Sequence, residues 1–494
     1  MTVPQTTITK QDGQTGVPAA PSPVGVAAII APCQQGPLLT PAAVTKPANA
    51  LATYGYGLLT SILYYFLPVT KKPVVVVRQT PSVPAVYGAF TYTGSGTLSG
   101  SVTGSGSPLD DLQAVVLFTV GGTTGVASII YQTSIDSRPF GDPAKVWSAP
   151  IALGTGLTIA IANTGISFTL VTAKTVVAQD YFVCPITGPR LNDADVATAL
   201  TALGRANIPW EIVLAAGIDA SSTTVANLDT FLAGLEGGGR FRAFACGAVP
   251  RKQDGTQTEA QYLAAQTTAW AGVASIRGMV GADAEYFTDP LRGIDMQRPS
   301  WMGWLARLLA VDVTIDEAQV DLGPLPNVRL VDANGNPVYH DESLDPGLDD
   351  QRLVTNRTVN TKIGAFVNNA KVISTPGSDY VYAQHVRMMN RACELAYGEL
   401  QNQMSKGIFK DPATARIRED QAQLIEGAVN NVITGGTDNL GKKVVFLGFS
   451  LSRDDDLSSN AGATLTGTIN LIPPSYIKGF NVNARFQRTV AVST

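Results

Sequence analysis

Chemistry-bearing residues are scarce in this chain. Its 494 residues include two histidines, His340 and His385, and four cysteines, Cys33, Cys184, Cys246 and Cys393. The cysteines stand far apart and form no CxxC pair, which excludes a zinc ribbon or a dithiol motif and predicts small buried hydrophobes in a reducing compartment. Charged side chains make up only 15%, against 45% apolar, where about a quarter charged is usual for soluble domains. A large chain with so few charges is expected to hide much of its surface in protein contacts. The 35 basic and 39 acidic residues give a net charge of −4. No basic block suggests nucleic-acid binding.

Motifs for catalysis or cofactor binding are also missing. His340 is flanked by Asp341 and Glu342, but no GxSxG nucleophile elbow accompanies it. His385 sits beside Arg387 on a predicted helix and reads as a packing or surface residue. Asp332 to Asn336 begins like a calcium loop, but Pro337 stands where glycine is needed and Ser343 where the bidentate glutamate belongs. Asp454–Asp456 reads as a solvated turn. Gly94–Gly100 is followed by more strand instead of a helix N-terminus, so it makes no phosphate cradle. No catalytic, cofactor-binding or metal site is expected.

No basic region followed by an apolar run opens the chain, so no leader is expected. The uncharged stretch Pro47–Thr70 is interrupted by Gly55, Gly57 and Pro68. Its strongly apolar part is about half the ~20 residues that a membrane span requires. A buried helix followed by the strand Val74–Val77 is predicted.

The pattern along the chain is mixed α/β (α+β). Residues 24–31 read as a buried strand, 48–67 as one helix, and 74–77 as a strand. Residues 81–185 are rich in Gly, Ser, Thr and Val, with alternating runs such as Leu157–Ile161 and Ile166–Leu170, and predict a separate β domain. From 181 to 282, strands at 181–184, 211–216, 241–248 and 276–280 alternate with helices at 193–203, 225–235 and 259–273, which predicts a parallel sheet. Asn192 is a cap signal for the first of these helices. A helix is expected over 302–309, a hairpin turning at Asn334-Gly335, a long helix over 379–404, another over 412–432, and a strand over 443–452.

Both ends are nearly free of charge. Residues 464–471 and 476–486 read as successive strands separated by Pro473-Pro474, and the first 25 residues carry four prolines. Extended, neutral, strand-prone tails are suited to pairing with the sheet edge of another chain.

Three segments resemble the contractile tail sheath proteins of bacteriophages and of related injection systems. They are Gly25–Ala31 through Gly36-Pro37 to Ala48–Leu67 and Val74–Arg78; Arg298–Arg307; and Val372–Pro376 through Asp379–Tyr382 to the helix with Arg387, Met388 and Arg391. Together they cover roughly half the chain, in order. The resemblance implies a discontinuous sheath core with inserted domains. These are an N-terminal arm 1–23, core 24–80, a β-rich outer domain 81–185, an α/β domain 186–295, core and C-terminal inner domain 296–475, and a C-terminal arm 476–494. It implies a non-enzymatic subunit of a virion tail, assembled in the host cytoplasm as stacked hexameric rings around a tail tube. Its partners would be further copies of itself, the tube protein, and baseplate and terminator proteins, with no nucleic acid and no stable membrane insertion. Contraction would drive the tube through the host envelope. Strand donation by the arms points to Thr6, Thr7, Ile8, Ile477, Phe480, Val482 and Phe486, and contact with the tube to Arg387, Arg391, Lys406 and Lys410. Two other readings stand beside it: a different phage structural protein or adhesin that uses the 81–185 domain for binding, and an α/β enzyme with its site on the 181–282 sheet.

Overall fold

The computed structural model describes residues 22–252, 256–332, 338–404, 406–435, 439–458 and 464–478. Six strands form a central sheet: β1 (Ala27–Ala31), β2 (Ala42–Val44), β3 (Val74–Arg78), β4 (Ile212–Ala215), β5 (Ala243–Gly247) and β6 (Gly278–Gly281). Their order is β6-β5-β4-β1-β3-β2, parallel throughout except for β2, which runs antiparallel to β3 at one edge. The runs AAIIA, VVVV and IVLA are apolar without alternation because both faces of the sheet are covered.

Helices do the covering. The expected single helix over 48–67 is two, α1 (Pro47–Tyr54) and α2 (Leu58–Thr70). The break falls at Gly55 (φ +67°) and Gly57 (φ +136°), backbone conformations that side-chain-bearing residues rarely adopt. α3 (Asp193–Arg205), α4 (Ser222–Glu236) and α5 (Glu259–Trp270) lie on one face with Ile30, Val75, Val213, Phe244 and Val280. Asn192 caps α3 in a reciprocal box with Asp195. On the opposite face α6 (Trp301–Ala310) joins α2 over Ile29, Val76, Leu214 and Met279. β1 pairs directly with β4, so residues 24–80 and the 186–295 segment share one sheet and one core. The boundary drawn between them in the sequence does not separate two units.

Residues 81–187 form antiparallel sheets with their own apolar centre around Phe118, Phe168 and Phe182. The strand expected at 181–184 belongs here. Tyr181–Thr187 pairs antiparallel with Leu112–Val120, because its alternating side chains match a sheet with two different faces. Ile294 and Met296, from strand Ile294–Pro299, complete this centre. The same strand carries Arg298, fully buried, whose guanidinium donates to both carboxylate oxygens of Asp110 at 2.8 and 2.7 Å.

α7 (Ala383–Gln403) and α8 (Glu419–Gly435) form a further layer with a hairpin of two strands, β7 (Phe446–Leu451) and β8 (Gly467–Ile472). The first tail strand read from the sequence is therefore already paired within its own subunit. The hairpin turn expected at Asn334-Gly335 lies outside the described residues. All four cysteines are unpaired thiols, with Cys184 and Cys246 buried. No helix among the described residues is long and apolar enough to cross a membrane.

The Arg298–Asp110 pair ties the β-rich lobe to the central body, and removing one partner strands a buried charge. Asp110→Ala should lower stability by about 3–5 kcal/mol, read as a drop in the denaturant midpoint.

Candidate functional site

Both described ends of the chain converge on one loop. Residues 311–317 follow α6 and run past the start of α7. The centre of this region is Arg387, which sequence reasoning placed among residues facing a partner. The structure corrects this, because Arg387 is 2% exposed. Its apolar neighbours Val386 and Met388 are buried too, so this turn of α7 faces inward. The guanidinium donates to Glu211 at 2.6 and 3.2 Å, to the Leu308 carbonyl at 2.6 Å and to the Val311 carbonyl at 3.3 Å. It thus closes the C-terminus of α6, where helix carbonyls lack partners.

Glu211 serves the N-terminal end as well. Its second oxygen accepts the backbone N–H of Gly25 at 2.5 Å. Gly25 has φ +76°, and a Cβ there would lie 2.7 Å from the Leu309 carbonyl. Only glycine lets the incoming chain press this closely on the end of α6.

The C-terminal end meets the same loop from the other side. Tyr476 donates its hydroxyl to the Thr314 carbonyl at 2.9 Å. The Lys478 ammonium pairs with Asp316, donates to Asn369 Oδ1 at 2.8 Å and sits 4.8 Å from the ring centre of Tyr382. His385 lies between Tyr382 and Tyr476 in ring contact with both, and its Nδ1 is 3.0 Å from the Asp379 carbonyl. Asp312, at the start of the loop, pairs at 2.6 Å with Lys443, just before the hairpin. Glu317 is fully buried with neither carboxylate oxygen hydrogen-bonded. Burial, together with the neighbouring Asp316 carboxylate, pushes it up to about 8.

The remaining candidates fall differently. Arg391 is half-buried beside Glu394 at 3.5 Å. Lys406 and Lys410 are exposed on the stretch after α7, donating to Gln403 Oε1 and to the Leu457 carbonyl. Ile477 is 73% exposed. Thr6, Thr7, Ile8, Phe480, Val482 and Phe486 lie outside the described residues. The network around Arg387 left little signal in the sequence. A glutamate 176 positions away cannot be matched to an arginine without the fold.

The hairpin is built with one covered and one open face. Leu447, Phe449 and Leu451 point into the layer formed with α7 and α8. Val445 (69%), Phe446 (51%) and Ile472 (52%) are exposed. Among the described residues neither strand pairs with a third, but α8 closes the outer edge of β7: Asn430 accepts the Phe449 N–H at 2.7 Å and donates to its carbonyl at 3.0 Å, and Glu426 accepts the Leu451 N–H at 2.7 Å, so the open edge is that of β8.

His340 is also buried, between α5 and the segment after it. Its ring nitrogens lie 2.7 Å from Glu259 and 2.8 Å from Glu342. Burial alone would lower its pKa, but the two carboxylates outweigh it and raise the imidazole to about 9. Among the described residues no nucleophile is in hydrogen-bond contact with this ring, which acts as a charged brace. Asp454 pairs with Arg416 at 2.8 Å and Asp455 accepts the Thr466 N–H, as a turn would. Among the described residues no group of three or more His, Cys, Asp or Glu side chains is placed to hold a metal.

No family model and no curated protein sequence matches this chain. Solved structures do align with it over nearly its whole length. Two of them are sheath tail proteins. A sheath tail protein from Desulfitobacterium hafniense aligns at 11% identity and a TM-score of 0.46, over 95% of this chain and 100% of that one. One from Listeria innocua aligns at 11% and 0.46, over 91% and 95%. A chain of the anti-feeding prophage baseplate in the contracted state aligns at 11% and 0.48, over 97% and 99%.

Two measurements probe this geometry. Arg387→Ala leaves Glu211 in a buried position without its cation and should cost about 3–5 kcal/mol; the double variant Arg387→Leu/Glu211→Gln should recover part of that loss in thermal melts. The His340 brace has a folded pKa of about 9 against an ordinary 6.5. Its contribution is therefore complete below pH 6.5 and is lost as pH rises through 9. His340→Gln should flatten that part of the stability–pH curve.

Proposed function

We propose that this chain is a structural subunit of a contractile tail sheath, a non-enzymatic protein that polymerises with copies of itself around a tail tube. The observation that carries the reading is the hairpin β7–β8, whose outer side exposes Phe446 and Ile472 at one end and whose β8 edge has no partner strand among the described residues. An extended segment from a neighbouring copy fits such an edge by β-addition. The three sequence segments that resemble sheath proteins support the same reading: Gly25–Arg78 supplies β1 and β3 of the central sheet, Arg298–Arg307 supplies α6, and Val372–Arg391 leads into α7.

Each donated strand of ~5 residues would form several ladder bonds worth about 0.5–1.5 kcal/mol each. Two arms per subunit would keep neighbours linked while larger contacts rearrange as rigid bodies. Stacked hexameric rings, a helical heterologous assembly, and contraction that drives the tube through an envelope complete the proposal. Lys406 and Lys410, with Arg391 nearby on α7, are the candidates for weak polar contacts to the tube. Such contacts must break during contraction. Baseplate and terminator proteins would hold the two ends of the stack. A virion tail assembled in the host cytoplasm is the corresponding location.

Purified full-length protein should form hollow tubes or stacked rings in electron micrographs. Deleting residues 479–494 should abolish them and leave the thermal melt of the body unchanged. Normal polymerisation of the truncated chain would count against strand donation.

A further inference from the structure

Residues 473–478 leave β8 and cross back over the loop that joins α6 to the rest of the chain. Their side chains alternate as in a strand. Tyr476 turns toward the subunit's own body, Ile477 is 73% exposed, and Lys478, itself exposed, reaches back with its ammonium. The inward contacts are specific. The Tyr476 hydroxyl satisfies the Thr314 carbonyl at 2.9 Å and its ring is tilted on His385, with centroids 6.0 Å apart. Asp316 is 4% exposed. One of its oxygens accepts the Ala318 N–H at 3.0 Å and the other meets the Lys478 ammonium. Asn369 and the Tyr382 ring complete the seat of that ammonium.

We propose that residues 473–478 form a clasp, in which Tyr476 and Lys478 grip Thr314, Asp316 and Asn369 and hold the outgoing chain on its own subunit. Any strand given to a neighbour then begins beyond Lys478, a consequence that rests on the sheath reading. Release would leave Asp316 in its buried position without the one cation paired with it among the described residues, beside Glu317, whose carboxylate oxygens have no hydrogen-bond partner among those residues. The end of α6, just before this loop, receives the N-terminal end, where Gly25 abuts the Leu309 carbonyl and Glu211 reaches Arg387. The two described ends are thus held within a few residues of each other, at 309–316.

Trypsin reads the clasp directly, because cleavage after Lys478 needs that ammonium in the protease's own pocket. In unassembled full-length protein, cleavage after Lys478 should lag behind cleavage after Arg485. Asp316→Asn should speed cleavage at Lys478 by about tenfold, and Tyr476→Phe, which removes only one hydroxyl, by a smaller factor. Equal rates at Lys478 in the wild type and both variants overturn the clasp, whatever the absolute rate. Micrographs of the same wild-type sample report separately on the sheath reading: protection of Lys478 without tubes keeps the clasp and sinks the assembly.

Discussion

The buried pair of Arg387 and Glu211 is the interaction on which the arrangement of this molecule depends. It is a long-range contact that joins α7, the C-terminus of α6, the residue before β4 and the incoming chain at Gly25. A buried ion pair gives little net stability compared with apolar packing, but breaking it is expensive. That asymmetry suits a joint that must not slip. Four segments that are far apart in sequence are held at fixed angles, and the C-terminal layer with its hairpin is thereby set against the central sheet. The Arg298–Asp110 pair does the same for the β-rich lobe. The body is therefore rigid where its parts meet.

Much of the central sheet was legible in the sequence because its strands are uninterrupted apolar runs bounded by turns, and its helices carry caps such as Asn192. The β-rich lobe was legible from its alternation and its Gly-rich turns. The domain boundaries were not. Nothing local in Val26–Ala31 says that its neighbour in space is Ile212–Ala215, since parallel pairing is a property of the crossover and leaves no mark on either strand. Tyr181–Cys184 misled for a related reason, being a strand at the junction of two patterns that belongs to the earlier one.

The candidate site was half visible. Low charge and strand-prone ends pointed to assembly, and the hairpin with its exposed Phe446 and Ile472 offers a surface for it. Arg387 was misassigned because a charge on a helix usually marks the solvated face, and a buried arginine betrays itself only through its partner. The second tail strand was also drawn too early. Tyr476 and Lys478 read as part of a linker, whereas their contacts bind them to the body and leave Ile477 outward. What the sequence could not supply in each case was a contact between residues more than a hundred positions apart.

The central claim is that the hairpin is completed, at its open β8 edge, by another copy of this chain. A reconstruction of the assembled protein by electron cryomicroscopy tests it most directly. The account predicts an additional strand on the outer edge of Gly467–Ile472, with density continuous to the body of a neighbouring subunit. A hairpin that stays two-stranded within the assembly would contradict it.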